Sequence, residues 1–191
     1  MAGLPWRLHK TWLSAPEAFH WRGLCRDQLA WEQPEVLVYG RRYSTPRLAA
    51  FLAETGVSYR YSGVVHHGSG WPHWFHPLLT LVNTQCGVAF NGCLLNYYRT
   101  GQDRMGWHAD DEPEIDPAMP IASLSLGATR TFQLKERQGG GRHSLELADG
   151  DLLVMVPPCQ REWLHGLPVR QRVTTPRINL TFRVFRTTSS G

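Results

Sequence analysis

PRINLTFR, residues 176–183, alternates so strictly that its conformation is legible at once. Arg177, Asn179, Thr181 and Arg183 fall at two-residue intervals, with Ile178, Leu180 and Phe182 between them. Side chains on a strand point to opposite faces in turn, so one face enters an apolar core and the other carries two guanidinium groups, an amide and a hydroxyl. NGCLLNYY, residues 91–98, repeats the device, with Asn96 and Tyr98 on one face. IASLSLG, TRTFQLKE, HSLELADGD and LLVMVPP lie between these two as short β-rich runs, broken by Gly, Pro and Asp, with GGG and DG the clearest turn signals. Such a succession predicts a mainly β, α+β fold: a double-stranded β-helix, or jelly roll, flanked by N-terminal helices.

The helices precede it. SAPEAFHWRGLCRDQLAW places Ser14 as N-cap and Glu17 three residues on, a capping-box spacing, followed by Trp21, Cys25 and Leu29 at helical intervals. EVLVYG and SYRYSG read as short strands, RRYSTPR as a turn or hairpin, and HPLLTLVNTQCG as a second, mostly apolar helix. We find no internal repeat and no long linker; only RTTSSG, 186–191, reads as a frayed end. The expected organisation is one domain over 1–191, with a nucleotide-recognition lid and flanking helix over 36–90 and a jelly-roll core over 91–186.

Composition narrows the function classes. With 42% hydrophobic and 19% charged residues the 191-residue chain is ordinary globular protein. No signal-peptide h-region opens it and no run of about 18 apolar residues occurs, so the expected location is cytoplasmic, nucleoid-associated when acting. Cys25, Cys86, Cys93 and Cys159 show no CxxC spacing and read as reduced structural thiols. The net charge of +4, nearly all of its cations arginine, permits an anionic partner without proving one.

GWHADDE, residues 106–112, is where chemistry concentrates. On an extended segment His108 and Asp110 point the same way and can chelate one ion, and the candidate third ligand is His165 of REWLHGLPV. Two histidines and one carboxylate on one face of an ion form the facial triad of non-haem Fe(II) oxygenases, although HxD is common and a histidine in a sheet is more often a packing residue. Two arginines six positions apart on one strand face suit a small dicarboxylate, since a guanidinium fork pairs with carboxylate bidentately. Open iron positions and the arginine face would bind opposite ends of 2-oxoglutarate.

In this order, NYYRTG, WHADDEPEIDP, PIASLSLGATRTFQLK, WLHGLPV and PRINLTFR resemble the AlkB family of Fe(II)/2-oxoglutarate-dependent nucleic-acid dealkylases, over residues 36–186. The resemblance implies iron held by His108, Asp110 and His165. It implies 2-oxoglutarate contacts from Asn96, Tyr98, Arg177, Asn179, Thr181 and Arg183, with Arg177 and Tyr98 at the distal carboxylate and Arg183 and Asn96 at the one near the metal. VLVYGRRYSTPR and SYRYSG are similar to the members that act on duplex DNA: Val38, Tyr39 and Gly40 match a finger that fills the gap of an extruded base, Tyr59 and Tyr61 an aromatic base-pocket wall, and Arg47 a residue near the lesion strand. Tyrosines stand at 39 and 61 where that type carries phenylalanine, which leaves strand preference open.

The implied activity is oxidative demethylation of 1-methyladenine- or 3-methylcytosine-type bases in DNA by a monomer, releasing formaldehyde, succinate and carbon dioxide. A methyl must approach the iron closely, so a duplex target is flipped out of its stack. A base methylated on its Watson–Crick edge is cationic, and Asp111 and Glu112 would attract it and accept its amino hydrogens. The alternatives are an RNA demethylase, an Fe(II)/2-oxoglutarate hydroxylase of a protein or small molecule, and a non-catalytic nucleic-acid-binding jelly roll with a structural ion. HHGSGWPHWFHP offers His66, His67, His73 and His76, but its spacing matches no zinc pattern; it reads as a loop, with Trp71 and Trp74 as packing residues.

Overall fold

The computed structural model describes residues 3–186 apart from 39 and 62. RTTSSG therefore lies outside the described residues beyond its first position. In chain order the strands are β1 (Trp6–His9), β2 (Glu35–Val38), β3 (Arg41–Ser44), β4 (Leu48–Ala53), β5 (Ser58–Tyr61), β6 (Val64–His67) and β7 (Gly92–Tyr98). They continue as β8 (Met105–His108), β9 (Ile121–Gly127), β10 (Arg130–Glu136), β11 (Arg142–Leu147), β12 (Leu152–Met155), β13 (Trp163–Leu167) and β14 (Arg177–Arg183). Helices α1 (Ala15–Gln28) and α2 (His76–Cys86) precede the core, and a single turn, α3 (Cys159–Glu162), interrupts it.

The jelly roll follows from where successive strands go. A six-stranded sheet runs β1-β12-β9-β14-β7-β4, and a four-stranded sheet runs β11-β10-β13-β8. From β7 onward the chain crosses between the two sheets repeatedly, every pairing antiparallel. β14 sits centrally, with Asn179 opposite both Asn96 and Ser125. Gly127 ends β9 with φ at +94°, and a Cβ there would lie 2.5 Å from the Pro176 carbonyl oxygen, so glycine is what lets the two chains close up at the start of β14. β1 and β4 complete the large sheet from the N-terminal half. Neither was read from the sequence, nor was β13.

Alternation distributes the large sheet's two faces. Cys93, Leu95, Leu124, Leu126, Ile178, Leu180 and Phe182 pack under α1 and α2 in one continuous apolar cluster, each such side chain contributing about 1.5–3 kcal/mol. The opposite face looks into the space between the sheets. Helix α1 starts as expected: the Glu17 carboxylate accepts from the Ser14 backbone N–H at 2.8 Å, and Trp21 and Cys25 are buried. Trp71 and Trp74 do pack against the core. HHGSGWPHWFHP is more than a loop, since His66 and His67 end β6, residues 73–75 form a 3-10 turn and His76 opens α2.

Two hairpins add no strand to either sheet, although Tyr59 of β5 is buried against Ala53 and Leu94 of the large sheet. β2 pairs with β3 and β5 with β6, each as a two-stranded ribbon, and all four residues of β3 are exposed. No helix among the described residues is long and apolar enough to cross a membrane.

Candidate metal and dicarboxylate site

The candidate site lies between the sheets. β13 places His165 directly opposite His108 of β8, and the pairing then slips, so that two residues of β8 stand opposite one of β13 before Met105 meets Leu167. This bulge turns both Met105 and His108 toward the cavity and pushes Trp107 outward, where it is 42% exposed. Its Gly106 carbonyl accepts from His108 Nδ1 at 2.9 Å, an assignment of the proton that leaves Nε2 free to bind metal.

Three groups converge. His108 Nε2 lies 3.6 Å and His165 Nε2 4.0 Å from Asp110 Oδ1, and donor atoms of all three residues lie within 4.8 Å of one another. Among the described residues this is the cluster of at least three metal-ligand side chains that can share an ion, so His66, His67, His73 and His76 form no second one. The other oxygen, Asp110 Oδ2, accepts from Arg183 Nη2 at 2.8 Å. Burial alone would raise the Asp110 pKa, but Arg183, with His165 and His108, holds it at about 2. Burial pulls His165 down to about 3, so it is neutral near pH 7 with a lone pair available. Phe132 stacks on its ring at 5.2 Å, and its Nδ1 is buried without a hydrogen-bond partner among the described residues. An ionised carboxylate, the neutral His165 imidazole and the His108 ring therefore face one point.

The arginine-bearing face of β14 is largely buried as well. Arg177 is 2% exposed, donates from Nη2 to Ser125 Oγ at 2.8 Å, and lies 5.5 Å from the Tyr98 ring centroid. No carboxylate among the described residues pairs with it, its Nε has no partner there, and burial brings its pKa down to about 10. Asn179 donates to Ser123 Oγ at 2.8 Å, and Thr181 donates to Asn179 Oδ1. Ser123 and Ser125 were not among the expected residues. Their signal was in IASLSLG, where two hydroxyls alternate with apolar residues exactly out of phase with the core face.

One cavity collects these groups: Asn96, Tyr98, His108, Asp110, His165, Arg177, Asn179, Thr181 and Arg183 all line it, with Tyr59 and Glu112 at one side. The Tyr59 hydroxyl donates to Glu112 Oε1 at 2.9 Å, and burial with the nearby Asp110 charge raises the Glu112 pKa. Asp111 behaves differently. It is exposed, pairs with Arg137 and does not line this cavity. Arg47 is buried and donates from Nε to Asn96 Oδ1 at 2.8 Å, so it braces the cavity wall. Gly40 follows β2 in its hairpin turn with φ at +76°. Tyr39 lies outside the described residues, as do the side chains of Val38 and Tyr61.

Residues 6–183 match the model of the 2OG-Fe(II) oxygenase superfamily. The chain is 40% identical over 156 residues to the DNA oxidative demethylase ALKBH2 of Bos taurus, covering 78% of this chain and 56% of that one. It is 38% identical over 173 residues to the alpha-ketoglutarate-dependent dioxygenase alkB homolog 3 of Bos taurus, covering 84% of this chain and 58% of that one. It thus spans little more than half the length of these relatives. The solved structure of OsALKBH1 superposes with a TM-score of 0.70 at 19% identity, over 96% of this chain and 99% of that one, a likeness of fold.

Proposed function

Because the chain belongs to the 2OG-Fe(II) oxygenase superfamily, in its AlkB branch, we propose that it removes N-methyl groups oxidatively from 1-methyladenine- and 3-methylcytosine-type bases in DNA, as a monomeric cytoplasmic enzyme. The observation that carries this reading is one cavity holding both a His-Asp-His donor set and a buried guanidinium, Arg177, that pairs with no carboxylate among the described residues.

The residues fit the group that the family name implies. His108, Asp110 and His165 would hold Fe(II), since two imidazole nitrogens and an ionised carboxylate suit a divalent ion and leave its remaining positions open. When bound, Fe(II) with 2-oxoglutarate and O2 supplies the oxidising power that hydroxylates the N-methyl carbon; succinate, carbon dioxide and formaldehyde are released. The protein's part is positional. Arg177 takes the distal carboxylate of 2-oxoglutarate, with Tyr98 beneath the guanidinium and Ser125 fixing its angle. Asn96, Asn179 and Thr181 complete the wall. Arg183 holds Asp110 by one oxygen, leaving the other for metal, and would help to hold the near carboxylate.

Glu112 supplies substrate charge selection. A methylated adenine or cytosine is cationic, and a carboxylate in a partly desolvated wall attracts it more strongly than water-exposed charge does. Tyr59 orients that carboxylate. Asp111 is assigned no substrate contact, because it is turned outward to Arg137. We place base capture in the 36–90 region, where the β2–β3 and β5–β6 hairpins add no strand to either sheet; a flipped base would enter beneath them.

The test is mass spectrometry of a 3-methylcytosine oligonucleotide, single-stranded and duplex in parallel, incubated with protein, Fe(II) and ascorbate, with or without 2-oxoglutarate. Loss of one methylene's mass only with 2-oxoglutarate is the expected result, and the faster form gives the strand preference. An unchanged mass alongside succinate formation would sink the nucleic-acid reading and favour a protein or small-molecule substrate; RNA oligonucleotides run beside DNA distinguish the remaining alternative.

A further inference from the structure

We infer that the outer face of the small sheet, centred on Trp107, is a stacking platform for a nucleobase flanking the one held in the cavity; this rests on the nucleic-acid reading above. Trp107 presents a large, rigid aromatic plane to solvent at 42% exposure. Here the β8 bulge turns it out. Two of its residues, Gly106 and Trp107, oppose Gly166, where a Cβ would come within 3.3 Å of the Met105 and Gly106 carbonyl oxygens. The same irregularity that aims His108 at the metal position aims Trp107 at solvent. The platform is thereby tied by one residue to the reacting centre.

Its surroundings select the partner. Lys135 lies over the indole, its Nζ 4.6 Å from the ring centroid. Arg142 pairs directly with Lys135 across β10 and β11 and is exposed, as is Ser144 in the same strand. On that face of the four-stranded sheet the exposed acid is Glu146, at the far end of β11. Arg104, exposed, immediately precedes β8. β8 is also the sheet's edge strand, so Arg104 and Trp107 lie exposed along one border of that sheet. An aromatic plane flanked by cations is what single-stranded nucleic acid uses: base stacks on ring, phosphate meets cation, and sequence matters little. A peptide adding to the β8 edge would use backbone hydrogen bonds and gain nothing from Lys135 and Arg142.

The experiment compares two substrates of one lesion: 3-methylcytosine within a single-stranded oligonucleotide, and 3-methyldeoxycytidine monophosphate, which has no flanking base. Trp107→Ala should raise KM for the oligonucleotide about tenfold, with kcat and the monophosphate unaffected. Trp107→Phe should recover most of the loss, and Lys135→Ala should flatten the salt dependence of the oligonucleotide KM. An oligonucleotide KM unchanged in Trp107→Ala, with the wild type active, overturns the platform alone. Equal losses on both substrates overturn it too, since Trp107 would then be acting through His108. Inactivity of the wild type on every oligonucleotide would remove the platform together with the function it rests on.

Discussion

The two ends of β14 carry the same side chain under the same burial and treat it in opposite ways. Arg183 finds Asp110 at 2.8 Å, and although burial opposes it, that carboxylate, with Tyr59 and Glu112, pushes its pKa up. Arg177, six residues away, has a serine hydroxyl and an aromatic ring but no carboxylate among the described residues, and burial leaves its pKa depressed to about 10. A buried cation without a counter-ion is costly. The contrast teaches that one arginine has its counter-ion within the fold, whereas the other has none among the described residues, the place that the proposed 2-oxoglutarate would fill.

The largest expected effect breaks this contrast directly. Arg183→Met strands Asp110 and should cost about 3–5 kcal/mol, the usual penalty for removing one partner of a buried ion pair, read from urea unfolding without metal. Arg177→Met removes an uncompensated charge. It should leave the metal-free protein as stable as before, or more stable by about 1 kcal/mol, since some of that gain is offset by the lost Ser125 hydrogen bond. The same variant should raise the 2-oxoglutarate requirement roughly a hundredfold and abolish the thermal stabilisation that saturating 2-oxoglutarate gives the wild type. Equal destabilisation by the two changes, with an unaltered 2-oxoglutarate requirement, would erase the distinction and make Arg177 structural.

Both arginines were legible in PRINLTFR because strand alternation is a local property. What separates them was not, since Asp110 is 73 residues from Arg183 and meets it only through the crossing of the two sheets. The core strands and the triad were read for the same local reason: alternation in β7, β9 and β14, and the HxD spacing of His108 and Asp110. β1 and β4 escaped, being short WRLH and the unalternating LAAFLA, whose pairing with β12 and β7 is decided by tertiary contact. The bulge in β8 left no sequence mark beyond Gly106. Asp111 and Glu112 follow the end of that strand, where no period applies, and sequence alone did not separate the one that lines the cavity from the one that does not.

That pair gives the next effect in size. Glu112 lines the cavity and Asp111 pairs with Arg137 outside it. Glu112→Gln keeps the shape and an acceptor for Tyr59 but removes the charge, and should lower kcat/KM on a cationic 3-methylcytosine oligonucleotide about tenfold, because charge-assisted hydrogen bonds are roughly twice as strong as neutral ones. Asp111→Asn should stay within about twofold, as expected of an exposed ion pair. Kinetics on the two variants in parallel decide the matter, and a reversed order would return the substrate role to Asp111.

The smallest effect tests the rule away from the site. Asp151 is buried like Arg177 but internally satisfied like Arg183: it accepts from Lys10 Nζ, Thr11 N and Ala148 N, each at 2.8 Å. Burial alone would raise its pKa, but these donors outweigh it and hold the value below 3.8. A carboxylate depressed by folding contributes stability that is fully present above its unfolded value and is lost as pH falls through the folded one. Asp151→Asn should therefore be about 1–3 kcal/mol less stable than the wild type at pH 7, and the gap should narrow once the pH drops below 3.8. Saturating 2-oxoglutarate should leave the gap unchanged. A gap that ligand closes would mean that Asp151 communicates with the cavity, and that burial with a partner does not by itself mark a charge as belonging to the fold alone.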